Sequence, residues 1–183
     1  RVLFVCTANI SRSPYAERRA RQALGAAPVT VASAGVPGYP GRGMDPEMAA
    51  QLRRRGVEPN GHVSRAVSRE ILAEADLVLT FEFAQRMRLL DAWPEFAPRI
   101  LGLGQFADVC GRLFEPGTGP LLVTQARRAA RPDSMTWDVG DPYRQGADVA
   151  RACADEIDTV LRSILPVLAG DPTLTLPDPV KPS

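Results

Sequence analysis

The sequence has almost no lysine. Of its 22 basic residues only Lys181 is not arginine. Against them stand 21 acidic residues, for a formal net charge of +1. No overall electrostatic pull toward nucleic acid or a membrane surface follows from such a balance. The arginine bias reads as coding preference, although guanidinium also suits phosphate. Histidine is nearly absent, with His62 alone, and the cysteines are three: Cys6, Cys110 and Cys153. No pair of these has metal-ligand spacing, so no metal site is expected. An odd, widely spaced set of cysteines is a poor disulfide framework and fits a reducing, cytoplasmic setting. No apolar run approaches the roughly 20 residues of a membrane span. No signal-peptide pattern stands at the start, which opens on Arg1 rather than methionine. No internal repeat is present.

What remains is an ordinary globular composition: 183 residues, 45% apolar and 23% charged, enough for one domain with a substantial core. The run VLFV at 2–5 reads as a buried strand. Ser13 and Pro14 read as the cap and first residue of a helix continuing through PYAERRARQAL. VTVAS at 29–33 is a second strand, followed by the glycine- and proline-rich loop 35–43. A helix is expected over 46–55, and another over 68–75 with Ser68 as its cap. DLVLTF leads into a third strand, FAQRMRLLDAW into a helix, and RILGL at 99–103 is a fourth strand. Residues 111–137 mix glycine, proline and arginine and give no clear element. Residues 149–168 carry apolar residues at helical spacing. The proline-rich stretch 169–183 is expected to be a disordered or extended tail. Strands alternating with helices predict a single-domain α/β fold, a doubly wound sandwich with a four-stranded parallel sheet flanked by helices. Its domain spans 1–168. In such sheets ligands bind beyond the carboxyl ends of the strands.

That places the stretch VCTANISRSP, residues 5–14, where chemistry is expected. Cys6 ends the first strand, and residues 7–11 lead into a helix. A helix N-terminus offers free N–H groups and a positive dipole end, which together make an anion site. Arg12 can add a bidentate fork for two phosphate oxygens. The same positive field favours thiolate at a cysteine, the form that attacks a phosphoryl group. Ser13 can hydrogen-bond the sulfur. A buried structural cysteine ending a strand is the plainer reading of Cys6 taken alone. Further along, Asp141-Pro142-Tyr143 offers a carboxylic acid, or simply a turn. Asp138 is a nearby rival, read as a solvated loop residue.

VCTANISRSP resembles the signature loop of the low-molecular-weight protein tyrosine phosphatases, which carry it at the very N-terminus. VASAGV at 31–36, MDPEMAAQLRRRGV, HVSRAVSREILAEADLVLTF and DPYRQG resemble further segments of that family in order. The resemblance covers residues 2–168 except 111–137, which looks like an insertion. It implies a phosphotyrosine-protein phosphatase that works through a cysteinyl-phosphate without cofactor or metal. By residue it implies Cys6 as nucleophile, Arg12 as phosphate clamp and Asp141 as the acid. Thr7, Ala8, Asn9, Ile10, Ser11 and Ser13 would form or support the phosphate loop. Tyr39 and Tyr143 would wall the substrate ring, although an exposed loop tyrosine is an equal reading of Tyr39. Asn9 would hold a strained loop by hydrogen bonds, and His62 is read as structural. The partner implied is a tyrosine-phosphorylated protein, among bacterial members often a tyrosine kinase.

The sequence departs from the family at several points. Ser11 stands where a second cysteine is frequent, which predicts easier over-oxidation of Cys6. Ala8 replaces a glycine. Thr80 and Phe81 stand before Glu82 where an aspartate is usual, so a supporting contact is expected to be missing. Three other functions stay open. Related arsenate reductases need two further cysteines close together, whereas Cys110 and Cys153 are far apart. Phosphoarginine phosphatases carry threonine where this chain has Ile10. A catalytically weak anion-binding regulatory domain is the non-enzymatic alternative.

Overall fold

The computed structural model describes residues 1–132 and 134–179. Among them four strands form one parallel sheet in the order β2-β1-β3-β4. They are β1 (Val2–Cys6), β2 (Val31–Gly35), β3 (Leu77–Thr80) and β4 (Ile100–Gly102). All of β1 is buried, as a central strand covered on both faces requires. Its alternate residues face two cores. Val2, Phe4 and Cys6 pack toward α1 (Arg12–Leu24), α2 (Pro46–Arg53), α5 (Leu103–Cys110) and α7 (Ala147–Ala169). Leu3 and Val5 pack with residues of α3 (Arg69–Ala73) and α4 (Phe83–Ala92). Chain order reverses between β2 and β3 on either side of β1, so the end of β1 lies at the topological switch, where a crevice opens.

The expected α/β fold is what forms, with instructive shifts. β2 begins two residues later than expected and runs to Gly35, because Cys6 pairs with Gly35 at the sheet's end. There a Cβ on Gly35 would come within 2.8 Å of the Thr7 carbonyl oxygen, so only glycine lets loop and strand meet. α1 starts at Arg12, with Ser11 in the cap position. Proline is tolerated throughout a helix's first turn, so Pro14 marks the turn rather than the first residue. Ser68 caps α3 as expected, accepting from the Ile71 N–H at 3.3 Å. α5 has no counterpart in the sequence reading. It follows β4 without a connecting loop, and its apolar residues Leu103, Phe106 and Val109 look like a continuation of the strand.

Residues 111–137 contain α6 (Gly119–Ala129) and a 3-10 turn at Met135–Trp137. Leu122 and Ala126 seat α6 on the larger core. In the tail, residues 171–179 have no helix or strand, but they do not leave the body: Leu176 is buried, and Arg19 donates to the Pro177 carbonyl at 2.7 Å. The rest of the expected disordered tail, 180–183, lies outside the described residues. Among the described residues no helix is long and apolar enough to cross a membrane.

Candidate active site

β1 delivers Cys6 to the open end of the sheet and α1 takes up the chain at Arg12. The loop between them has its carbonyls bound from outside. Cys6 O accepts from Val36 N at 2.9 Å, Thr7 O from Gly38 N at 3.0 Å, and Ile10 O from Asp45 N at 2.8 Å. His62 Nε2 lies 2.6 Å from Asn9 O. The backbone N–H groups of residues 7–12, by contrast, donate to no acceptor among the described residues. A loop with most of its carbonyls taken and its N–H donors free is an anion cradle.

Asn9 frames this geometry. Its φ of 58° is left-handed, a conformation asparagine accepts more readily than most residues. Its Nδ2 donates to Ser13 Oγ at 3.0 Å and to Ser33 Oγ at 2.9 Å, while Oδ1 accepts from Arg65 N at 2.9 Å. The side chain thus ties the loop to α1, to β2 and to the segment before α3. Thr7 is fixed as well, its Oγ1 accepting from Gln85 Nε2 at 3.1 Å. Ser13 Oγ lies 3.0 Å from Cys6 Sγ. That oxygen accepts from Asn9, and its one proton can go to the Ala34 carbonyl, 3.3 Å away, or to the nearer sulfur, where it steadies a thiolate.

Arg12 is buried to 1% exposure. Its Nη1 donates to Val139 O at 2.7 Å and also to Glu82, and its Nη2 pairs with Asp141 Oδ2 at 3.1 Å. Burial works against its charge, but Cys6, Asp141 and Glu82 outweigh burial and hold its pKa above the ordinary arginine value. Its Nε has no hydrogen-bond partner among the described residues.

Asp141 builds its own turn. Oδ1 accepts from Tyr143 N at 3.2 Å, leaving Oδ2 for Arg12. The loop is anchored by Val139 N on Phe81 O at 2.9 Å and by Cys153 Sγ, 3.6 Å from Gly140 O. Cys6, Ile10, Arg12, Tyr39, Asp141 and Tyr143 all line one pocket of about 260 Å³. A cavity of about 550 Å³ beside α6 is larger, but no cysteine lines it. Convergent chemistry, not size, marks the site.

The structure corrects two expectations. Asp138 is not a free solvated residue: its Oδ1 accepts from Phe83 N at 2.7 Å, at the first turn of α4. The contact expected to be missing near Thr80 is supplied one step later, by Glu82 on Arg12. Glu82 is the site residue that sequence reasoning missed. Its signal was positional: an acid two residues past the end of the strand beside β1, where side chains reach the same crevice. Cys110 and Cys153 are free and buried, and burial pushes both thiols up to about 12. They stay protonated and offer no relay to Cys6. Among the described residues no group of three His, Cys, Asp or Glu is placed to hold a metal ion.

Comparison with known proteins agrees with this geometry. The profile of the family described as low molecular weight phosphotyrosine protein phosphatase matches residues 1–112. The chain is 33% identical over 106 residues to the low molecular weight protein-tyrosine-phosphatase Wzb of Salmonella typhi, covering 58% of this chain and 70% of that protein. It is 34% identical over 107 residues to Etp of Escherichia coli, also so named, covering 58% and 71%. Among solved structures, a low molecular weight protein tyrosine phosphatase from T. tengcongensis superposes with a TM-score of 0.72 at 29% identity, covering 92% of this chain and 99% of that one. The YwlE arginine phosphatase from Geobacillus stearothermophilus gives 0.72 at 27% identity, covering 90% of each.

Proposed function

This chain belongs to the low molecular weight phosphotyrosine protein phosphatase family, a family of hydrolases, and on that premise we propose that it hydrolyses phosphotyrosine in proteins. The observation that carries the reading is the loop of free N–H groups between Cys6 and Arg12, with Asp141 across the pocket.

In the first step the Cys6 sulfur attacks phosphorus opposite the ester oxygen. An S–P bond forms as the P–O bond to tyrosine breaks. Loop amides and Arg12 hold the three remaining oxygens, where charge sits in the transition state. Asp141 gives its proton to the leaving phenolate, assistance worth about 10²–10⁴-fold. In the second step Asp141 takes a proton from water as the water oxygen attacks phosphorus. The S–P bond breaks, and phosphate leaves with Cys6 returned to thiolate. Ser13 steadies that leaving sulfur. Glu82 orients Arg12 from the side away from the substrate. Ile10, Tyr39 and Tyr143 supply walls for an aromatic ring.

The substrate is then a tyrosine-phosphorylated protein, in a bacterium a tyrosine kinase among the candidates. The unpaired thiols of Cys110 and Cys153 support a reducing, cytoplasmic location. A second reading, phosphoarginine hydrolysis, has the arginine phosphatase structures in its favour. Ile10 weighs against it, since a buried isoleucine at the pocket offers a guanidinium no hydroxyl.

Metal-free assays on a phosphotyrosine peptide and on a phosphoarginine peptide decide between them. We expect turnover of the first that vanishes in Cys6→Ser and drops about 10²-fold or more in Asp141→Asn. Preferred turnover of phosphoarginine would replace the reading with the second. No turnover by folded, reduced protein would reduce the chain to an anion-binding domain.

A further inference from the structure

We propose that the mouth of this pocket selects phosphotyrosines flanked by acidic residues, with Arg42 on one rim and Arg144 on the other supplying the charge. The proposal rests on the phosphotyrosine reading above and adds the chemistry of the surrounding peptide.

Each wall tyrosine carries an arginine. The Arg42 guanidinium lies 5.5 Å from the centre of the Tyr39 ring, and Arg144 lies 5.1 Å from that of Tyr143. Tyr39 comes from the loop after β2 and Tyr143 from the loop before α7, so the two pairs rise from different segments that line one pocket. Both arginines are exposed, and neither guanidinium meets a carboxylate or other hydrogen-bond partner among the described residues. Some surface arginines are neutralised, Arg112 by Asp108 and Arg151 by Asp148, while others such as Arg53 and Arg88 are not, among the described residues; Arg42 and Arg144 differ from these in standing at the pocket on its wall tyrosines. Inside the pocket, Arg12 is already matched by Glu82 and Asp141. The uncompensated positive charge of the site is therefore on its rim, not in its floor.

The backbone points the same way. Arg144 is one of two non-glycine residues with positive φ among the described residues, at 60°. Asn9, the other, has its side chain fully bonded in return. Arginine gains nothing locally from a left-handed turn that glycine would take without strain. What the conformation achieves is to lay the guanidinium over the Tyr143 ring. Stacking on an aromatic ring orients the guanidinium plane while its N–H edges stay free for a carboxylate. A peptide whose phosphotyrosine ring sits between Tyr39 and Tyr143 would carry its neighbouring side chains over these two edges.

The test compares three phosphotyrosine peptides that differ only in flanks: acidic, neutral and lysine-bearing. An exposed ion pair is worth about 1.5- to 5-fold in affinity, so with both rims engaged we expect kcat/KM for the acidic peptide about 10-fold above the neutral one. The ratio should collapse toward 1 at high salt, as screened surface charges do. In Arg42→Ala/Arg144→Gly it should fall to about 1, glycine being chosen because it accepts the positive φ. In Arg42→Glu/Arg144→Glu the order should invert in favour of the lysine-bearing peptide. A wild-type ratio near 1 would overturn the proposal while leaving the phosphotyrosine reading intact. So would an acidic preference that survives the double substitution. Turnover of no peptide would overturn both.

Discussion

Two parts of this molecule bury arginine, and they do it differently. Beneath α1 a closed knot joins α1, α7, the segment after α2 and the tail. Asp158 on α7, 2% exposed, accepts from Arg19 Nε at 3.0 Å and Nη2 at 3.2 Å, from Arg55 Nε at 2.6 Å and from Tyr15 Oη at 3.0 Å. Arg19 also donates to Gln22 and to the Pro177 carbonyl. Seven residues away on the same helix, Arg12 is equally buried. Its carboxylates are not: Glu82 is 25% exposed and Asp141 44% exposed, and its Nε has no acceptor among the described residues. One guanidinium is held by a carboxylate as dry as itself. The other is held by partners that water reaches, on the edge of a pocket. The first arrangement stabilises and the second leaves capacity for a ligand.

The sharpest way to break the comparison is to remove the shared acceptor. Asp158→Asn leaves Arg19 and Arg55 buried around a neutral amide. Removing one partner of a buried ion pair costs about 3–5 kcal/mol, because the remaining charge is stranded. Urea unfolding should show that loss, while turnover per folded molecule stays as it was. A loss under about 1 kcal/mol would mean the knot is hydrated and the contrast with Arg12 false.

The converse substitution is Arg12→Lys. An ammonium cannot span two phosphate oxygens, and loss of one such donor costs about 10²–10³-fold in rate. We expect kcat/KM to drop by that amount. Stability should move by less than about 1 kcal/mol, since Glu82 and Asp141 can turn to solvent. A large stability loss with little change in rate would make Arg12 a second structural knot.

The sequence showed the open site more clearly than the closed one. Cys6, Arg12 and Ser13 follow in one short segment whose spacing is itself the chemistry, and Asp141 lies in a recognisable Asp-Pro-Tyr turn. Glu82 was visible as a residue but not as a partner, since its contact spans 70 positions. The Asp158 knot was invisible for the same reason: its members lie on α1, beyond α2 and on α7, and nothing local marks a buried aspartate among exposed ones. Helix α5 escaped because a strand ran into it without a turn. Local pattern reveals elements and loops; which distant charges meet depends on packing that no window of sequence contains.

A second, smaller contrast lies behind the phosphate loop, where the framework is neither sealed nor open. His62 is half-buried, with Nε2 2.6 Å from Asn9 O. To donate to that carbonyl the neutral ring must carry its proton on Nε2. Burial first, then Arg18 and Arg65, lower its pKa below the ordinary value, against the opposing pull of Asn9 and Glu17. The unfolded chain takes up this proton near pH 6.5 while the folded chain still resists it. Between about pH 7 and pH 5 the unfolded state therefore binds more protons, and stability falls as pH falls. Many groups titrate in that range, so the readout is a difference: the urea midpoint of the protein minus that of His62→Gln, at pH 7, 6 and 5. We expect a positive difference at pH 7 that shrinks toward pH 5, because only the histidine gains a proton penalty. A difference that holds constant across the range would show that the ring protonates as freely folded as unfolded, and that the loop's rear support is as wet as its front.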